Sequence, residues 1–127
     1  MSTLTWVIAI SIGAAGGALL RHASYVMIEK HHRGDFPVTT LFVNLLGSFL
    51  IGVFVALGTS GTIDPFALEL LIGGGCGSLT TFSSLSADWL RLNRSGRKGL
   101  GVVYVGLTLV LGLSLAAGGL ALGGAIS

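Results

Sequence analysis

The chain has 127 residues, of which 52% are hydrophobic, 9% charged and 21 glycine. Soluble domains carry roughly 25% charged residues, so seven cations and five acids cannot coat a water-facing surface here, and disorder needs the opposite balance. A net charge of +2 provides no basic face for nucleic acid, and a mean hydropathy of +0.90 points to a bilayer.

In chain order, charge-free runs cover residues 4–20, 38–63, 70–87 and 99–127, which are 17, 26, 18 and 29 residues long. A helix crosses the hydrocarbon core in about 20 residues. Each run therefore holds one crossing, and none holds a helical hairpin. The expected helices are 4–28, 38–58, 66–90 and 99–125, one four-helix transmembrane domain over residues 1–127. The first runs past Arg21, whose side chain can snorkel from near a helix end. No period-2 alternation suggests barrel strands. The expected class is an all-α integral membrane protein.

The connections are short: EKHHRGDFP at 29–37, TSGTIDP at 59–65 and RLNRSGRK at 91–98, each with Gly or Pro turn chemistry. Four crossings put the first and third connections on one side. That side collects all seven cations, namely Arg21, Lys30, Arg33, Arg91, Arg94, Arg97 and Lys98. Cationic flanks stay in the cytoplasm, so both termini are expected outside it. Cys76 is the lone cysteine and can form no intrachain disulfide.

Polar groups inside the spans form a pattern. Thr40, Asn44 and Ser48 recur at i, i+4 and i+8 on one face of the second helix. Ser78, Thr80, Thr81, Ser83, Ser84 and Ser86 surround Phe82 in the third, after a glycine-rich stretch at 73–77. The fourth sets Tyr104 and Thr108 on one face. Such hydroxyls can bond their own helix carbonyls or join helices. A buried Asn, with two amide donors, needs an interior site of its own.

No Asp, Glu, Lys or Arg falls at mid-depth, so the ionisable relay expected of a proton-coupled transporter is missing from the pattern. Neutral donors suit a small anion, replacing part of its hydration shell without trapping it. Phe82 could add its electropositive ring edge. No nucleophile–base pair or metal-ligand cluster suggests an enzyme, and His31 and His32 fall in a loop.

Glycines at 13 and 17, 73 and 77, and 119 and 123 have the spacing of close helix crossings. The stretch 73–81 predicts more, a mid-span break that frees backbone carbonyls. Irregular backbone survives there only where protein, water or an ion satisfies it. A close-packing site without an ion fits the spacing as well.

Three segments together resemble the CrcB/Fluc family of bacterial fluoride channels. They are Gly16-Gly17-Ala18-Leu19-Leu20-Arg21, Thr40-Leu41-Phe42-Val43-Asn44-Leu45-Leu46-Gly47-Ser48, and Gly77-Ser78-Leu79-Thr80-Thr81-Phe82-Ser83. The resemblance implies an antiparallel, dual-topology-type dimer of four-helix subunits in the bacterial plasma membrane. Two narrow pores would release fluoride passively and confer fluoride resistance. It implies that Asn44 and Phe82 line the pore, that Thr40, Ser83, Tyr104 and Thr108 extend its polar track, and that Arg21 sits at a vestibule. It further implies a structural Na⁺ at the dimer centre, held by the carbonyls of Gly77 and Thr80.

The chain departs from the family pattern at four positions: Leu85 replaces a second Phe, Asp88 replaces Glu, and Thr39 and Ser78 replace glycines. Leu85 has no electropositive edge, so one aromatic pore contact is lost. A homodimer of opposed subunits must insert both ways, which a cation split of seven to none disfavours. Together these features point to a heterodimer with an oppositely oriented homologue, although the family default is a homodimer. Two other readings compete. One is a non-conducting accessory subunit of such a channel. The other is a small multidrug-resistance-type exporter, which would need a first-helix carboxylate that residues 4–20 lack.

Overall fold

The computed structural model describes residues 2–32 and 34–127; Arg33, one of the seven cations, lies outside them. Four helical legs account for the described residues, with no strand among them. Helix α1 spans Thr3–His31 and α2 spans Val38–Thr59. The third leg is α3 (Pro65–Leu68), a π-helical stretch (Glu69–Cys76) and the short α4 (Gly77–Leu79), then α5 (Phe82–Arg94). Helix α6 spans Lys98–Ile126. Three legs, α1, α2 and α6, are long and apolar enough to cross a membrane, with mean hydropathies of 1.8, 2.3 and 2.2. The third is divided into pieces each too short to qualify alone.

The ends follow from local chemistry. Ser2 caps α1 by accepting the Thr5 amide at 3.2 Å. Asp64 caps α3, accepting the Ala67 amide at 2.7 Å, and Pro65 occupies the first helical position, where its missing N–H costs nothing. After α5 the chain turns through Gly96 at φ 81°, and the Arg97 amide bonds the Leu92 carbonyl at 2.8 Å. An L side chain would be strained at that angle.

Helix packing rests on glycine. A Cβ on Gly13 would overlap the Leu70 carbonyl, one on Gly17 the Gly75 carbonyl, and one on Gly74 the Ile10 carbonyl. Helix α1 and the π-helical stretch therefore meet backbone to backbone. On the other side, a Cβ on Gly52 would overlap the Ala116 carbonyl, and one on Gly119 the Phe49 carbonyl. The pairs 13/17 and 119/123 are thus true crossing points. For 73/77 the spacing misleads: the tight backbone contact with α1 is at Gly74, a Cβ on Gly73 would meet the Glu69 side chain at 2.6 Å and Ile10 at 3.5 Å, and nothing lies closer than 3.6 Å to a Cβ on Gly77.

The first and third connections share one end of the bundle. Arg97 forms an ion pair with Asp35, and the Arg91 guanidinium donates to the Asp35 carbonyl at 3.4 Å. Because α2 leaves that end and α6 starts from it, the third leg must travel back the full length of α2. The same contact gathers Arg91 and Arg97 with the first loop, as the cation pattern requires.

Candidate functional site

The break in the third leg is sharp, and it falls at Thr80–Thr81 rather than across the whole of 73–81. Thr80 is extended at ψ 155°, and Thr81 at φ −150° and ψ 111°. The glycines before it stay helical but wound wider. Two consecutive β-branched residues favour extended backbone. Thr81 then starts the next helix, its Oγ1 accepting the Ser84 amide at 3.1 Å.

Asn44 holds this break from α2. Its Oδ1 accepts the Thr81 amide at 2.7 Å, and its Nδ2 donates to the Thr81 carbonyl at 3.2 Å. One buried amide, 9% exposed, thus pairs both polar groups of an extended residue, as a neighbouring β-strand would. The assignment of its oxygen and nitrogen follows from the Thr81 backbone, which offers one donor and one acceptor. The second Nδ2 hydrogen is not used by this pairing. Close by, a Cβ on Gly47 would overlap the Thr80 methyl, so Gly47 gives the break room against α2.

Asn44, Ser48, Thr80, Phe82, Leu85 and Thr108 line one recess of about 260 Å³ beside the break. Phe82 is 80% exposed in the isolated subunit, extreme for a large aromatic side chain at the start of a helix. Leu85, which also borders the recess, is only 9% exposed and packs with Leu92 and Tyr104. Ser83 is exposed and shares a hydrogen bond with the Thr81 hydroxyl at 3.1 Å.

One helical turn away, the same faces of α2 and α6 carry a second polar group. Thr40 and the Tyr25 hydroxyl lie 2.6 Å apart, Thr40 stands beside the Tyr104 hydroxyl, and Tyr104 donates to Asp88 Oδ2 at 3.2 Å. Tyr104 is fully buried, its ring set edge-on to Phe36 with centroids 5.6 Å apart. Thr40 and Asn44 on α2 face Tyr104 and Thr108 on α6, giving a column of two polar storeys. Arg21 lies one turn before Tyr25 on α1; its Nε is buried without a hydrogen-bond partner among the described residues.

The plainer fate of intramembrane hydroxyls holds for several of these residues. Ser48 donates to the Asn44 carbonyl, Thr80 to Cys76 and Thr108 to Tyr104, at 2.8, 2.9 and 2.8 Å. Of the family departures, Thr39 donates to Glu29 Oε1 at 2.9 Å, tying the end of α1 to the start of α2. Ser78 donates to the Gly75 carbonyl at 3.3 Å, and its Oγ lies against Gly17.

Sequence reasoning missed Tyr25, the clamping of Thr81 and the role of Asp88. By sequence Asp88 falls near a helix end, yet it is the acceptor for a fully buried phenol. The signal for Thr81 was available, because a threonine after an expected break is a natural helix cap. Tyr25 had no signal, since its partner is fifteen residues away on another helix.

A cation at the break can be tested against the backbone. The amide that would close a turn onto the Gly77 carbonyl is that of Thr81, which Asn44 takes. The amide due to the Thr80 carbonyl is that of Ser84, which the Thr81 side chain takes. The two carbonyls expected as ligands are thus among those at the break whose helical donors are diverted. Oxygen donors of this kind suit a hard monovalent cation, so the residues fit.

Residues 8–120 match the family model described as CrcB-like protein, Camphor Resistance (CrcB). A Thermus thermophilus protein named Fluoride-specific ion channel FluC is 42% identical over 117 residues, which cover 92% of this chain and 94% of the relative. Relatives of the same name from Aquifex aeolicus and Pseudomonas putida are 42% and 39% identical. Those alignments cover 84% and 91% of this chain, and 87% and 94% of the relatives.

Proposed function

The chain belongs to the CrcB family, and on that premise we propose that it is a subunit of a fluoride-selective channel. The channel conducts fluoride passively out of a bacterial cell across the plasma membrane and so confers fluoride resistance. The observation that carries this reading is the break clamped by Asn44 beside an exposed Phe82. A fluoride ion entering that recess meets the second Nδ2 hydrogen of Asn44 and the edge of the Phe82 ring, weak donors that ease dehydration without holding the ion. Thr108, Tyr104, Thr40 and Ser83 continue the polar track, and Arg21 draws anions toward its mouth.

All four legs cross the bilayer in this reading, the third as a broken pair, with both termini outside the cytoplasm. The return path of the third leg along α2 supports that count. The working unit is an antiparallel dimer, because Phe82 needs a second wall that the isolated subunit lacks. A heterodimer with an oppositely biased homologue is favoured, since Arg91 and Arg97 gather with the first connection at one end and Leu85 brings no aromatic edge to the recess. The Gly77 and Thr80 carbonyls would hold a structural Na⁺ at the dimer centre, which would neutralise their partial negative charge and stabilise the break.

Fluoride-electrode efflux from liposomes tests the proposal, with the chain alone and then with the homologue. Fluoride flux far above chloride flux is expected, and comparable chloride flux would reject selectivity. Phe82→Ile should slow fluoride efflux at least tenfold while leaving the fold intact, because an exposed side chain contributes little to packing. Absence of flux in both preparations would favour the accessory-subunit reading, which the buried, non-aromatic Leu85 supports.

A further inference from the structure

We propose that the C-terminal end of α5 binds an acidic phospholipid, with the headgroup phosphate at Arg91 and Arg94 and an acyl chain along Ala87 and Leu90. Ala87, Leu90, Arg91, Arg94 and Ser95 fall on one helical face and line a cleft of about 460 Å³. Toward the break the cleft is apolar, and toward the third connection it is cationic. That is the polarity of a phospholipid lying along a helix.

Depth agrees with chemistry. Trp89, 39% exposed, adjoins Leu90 and marks the membrane–water interface, where Trp is enriched. At the helical rise, Arg91 and Arg94 lie about 3 and about 7.5 Å beyond it, in the layer of lipid phosphates.

Charge accounting makes the lipid acidic. Arg97 is paired with Asp35, and Arg91 lies 3.9 Å from Asp88, which also accepts from Tyr104. Among the described residues no ion pair forms at Arg94 or at Lys98, the first residue of α6. Both are exposed and open to an anion from outside the chain. A zwitterionic lipid would bring its own cation against them, whereas an acidic one would not. Cations also suit a helix C-terminus, but that preference does not explain the apolar strip beneath them.

The proposal is independent of conduction. Its test uses the Trp6→Phe chain, which leaves Trp89 as sole fluorophore, Trp6 lying at the opposite end of α1. The protein is reconstituted in phosphatidylcholine vesicles containing brominated phosphatidylglycerol or, in parallel, brominated phosphatidylcholine. Trp89 quenching should favour the acidic lipid about fivefold, from the ~1 kcal/mol that a cation gains near anionic lipid. Arg94→Gln should lower that preference to near unity, Arg94→Lys should keep it, and inorganic phosphate should not compete. Lys98→Gln, expected to lower it partly, becomes the deciding variant should Arg94→Gln fail to insert. Equal quenching by both lipids, a preference unchanged in the Gln variants, or displacement by inorganic phosphate would overturn the proposal.

Discussion

Helices α2 and α6 meet backbone to backbone along Gly52, Gly119 and Gly123, whereas the break in the third leg is held to α2 through one side-chain amide, Asn44. The first contact has no polar partner to lose and tolerates no added atom. The second is open enough for a recess and depends on two hydrogen bonds. In a bilayer the hydrophobic effect does not draw helices together, so close van der Waals approach builds the frame. Unsatisfied backbone is then allowed at a single place, where a side chain repairs it. The rigid contact positions the fragile one.

Substitutions can separate these two kinds of contact. The largest effect is expected at Gly119→Leu, whose side chain would enter the Phe49 carbonyl and the α2 backbone. The loss should lie at or above the ~1–3 kcal/mol typical of overpacking, read as loss of the folded subunit in thermal unfolding in detergent. Gly118→Ala, its neighbour in sequence, has nothing within 4 Å and should leave the melting point unchanged or raise it. If the two glycines behaved alike, backbone contact would not be the basis of the frame.

Next comes Asn44→Ala. It strips the Thr81 amide and carbonyl of their side-chain partner in a buried site, where each unmet group costs about 1–3 kcal/mol. Unfolding should show a loss of about 2–3 kcal/mol, and fluoride efflux should fall with it. Thr81→Ala removes only the cap on α5 and should cost about 1 kcal/mol. Hydrogen exchange faster at Ser84 than in α6 would localise that loss to the break. The smallest effect is expected from Arg97→Gln, since Arg97 and Asp35 are about half exposed. Such ion pairs contribute roughly 0–1 kcal/mol, and added salt should erase what little is lost.

Much of the frame was legible because it depends on composition along the chain. Four apolar runs gave helices whose ends fell within about four residues of the expected ones, and crossing glycines at 13, 17, 119 and 123 were visible from spacing. The middle pair at 73 and 77 misled, because winding in a π-helix shifts which residue faces α1. The break itself was expected, yet its place depended on which residues prefer extended backbone and on Asn44 reaching them from thirty-seven positions away. Leu85 was legible as a lost aromatic but not as a residue facing the α5–α6 core.

Composition and charge placement alone settle the solvent: twelve charges in 127 residues, none deep in a charge-free run, leave the bilayer as the medium. They also leave only neutral donors among the side chains within those runs. Which donors are already engaged emerges only when the helices come together. Hydrogen bonds act over about 3 Å and join helices that sequence separation does not relate, so Tyr25 finds Thr40, Tyr104 finds Asp88, and Asn44 repairs Thr81.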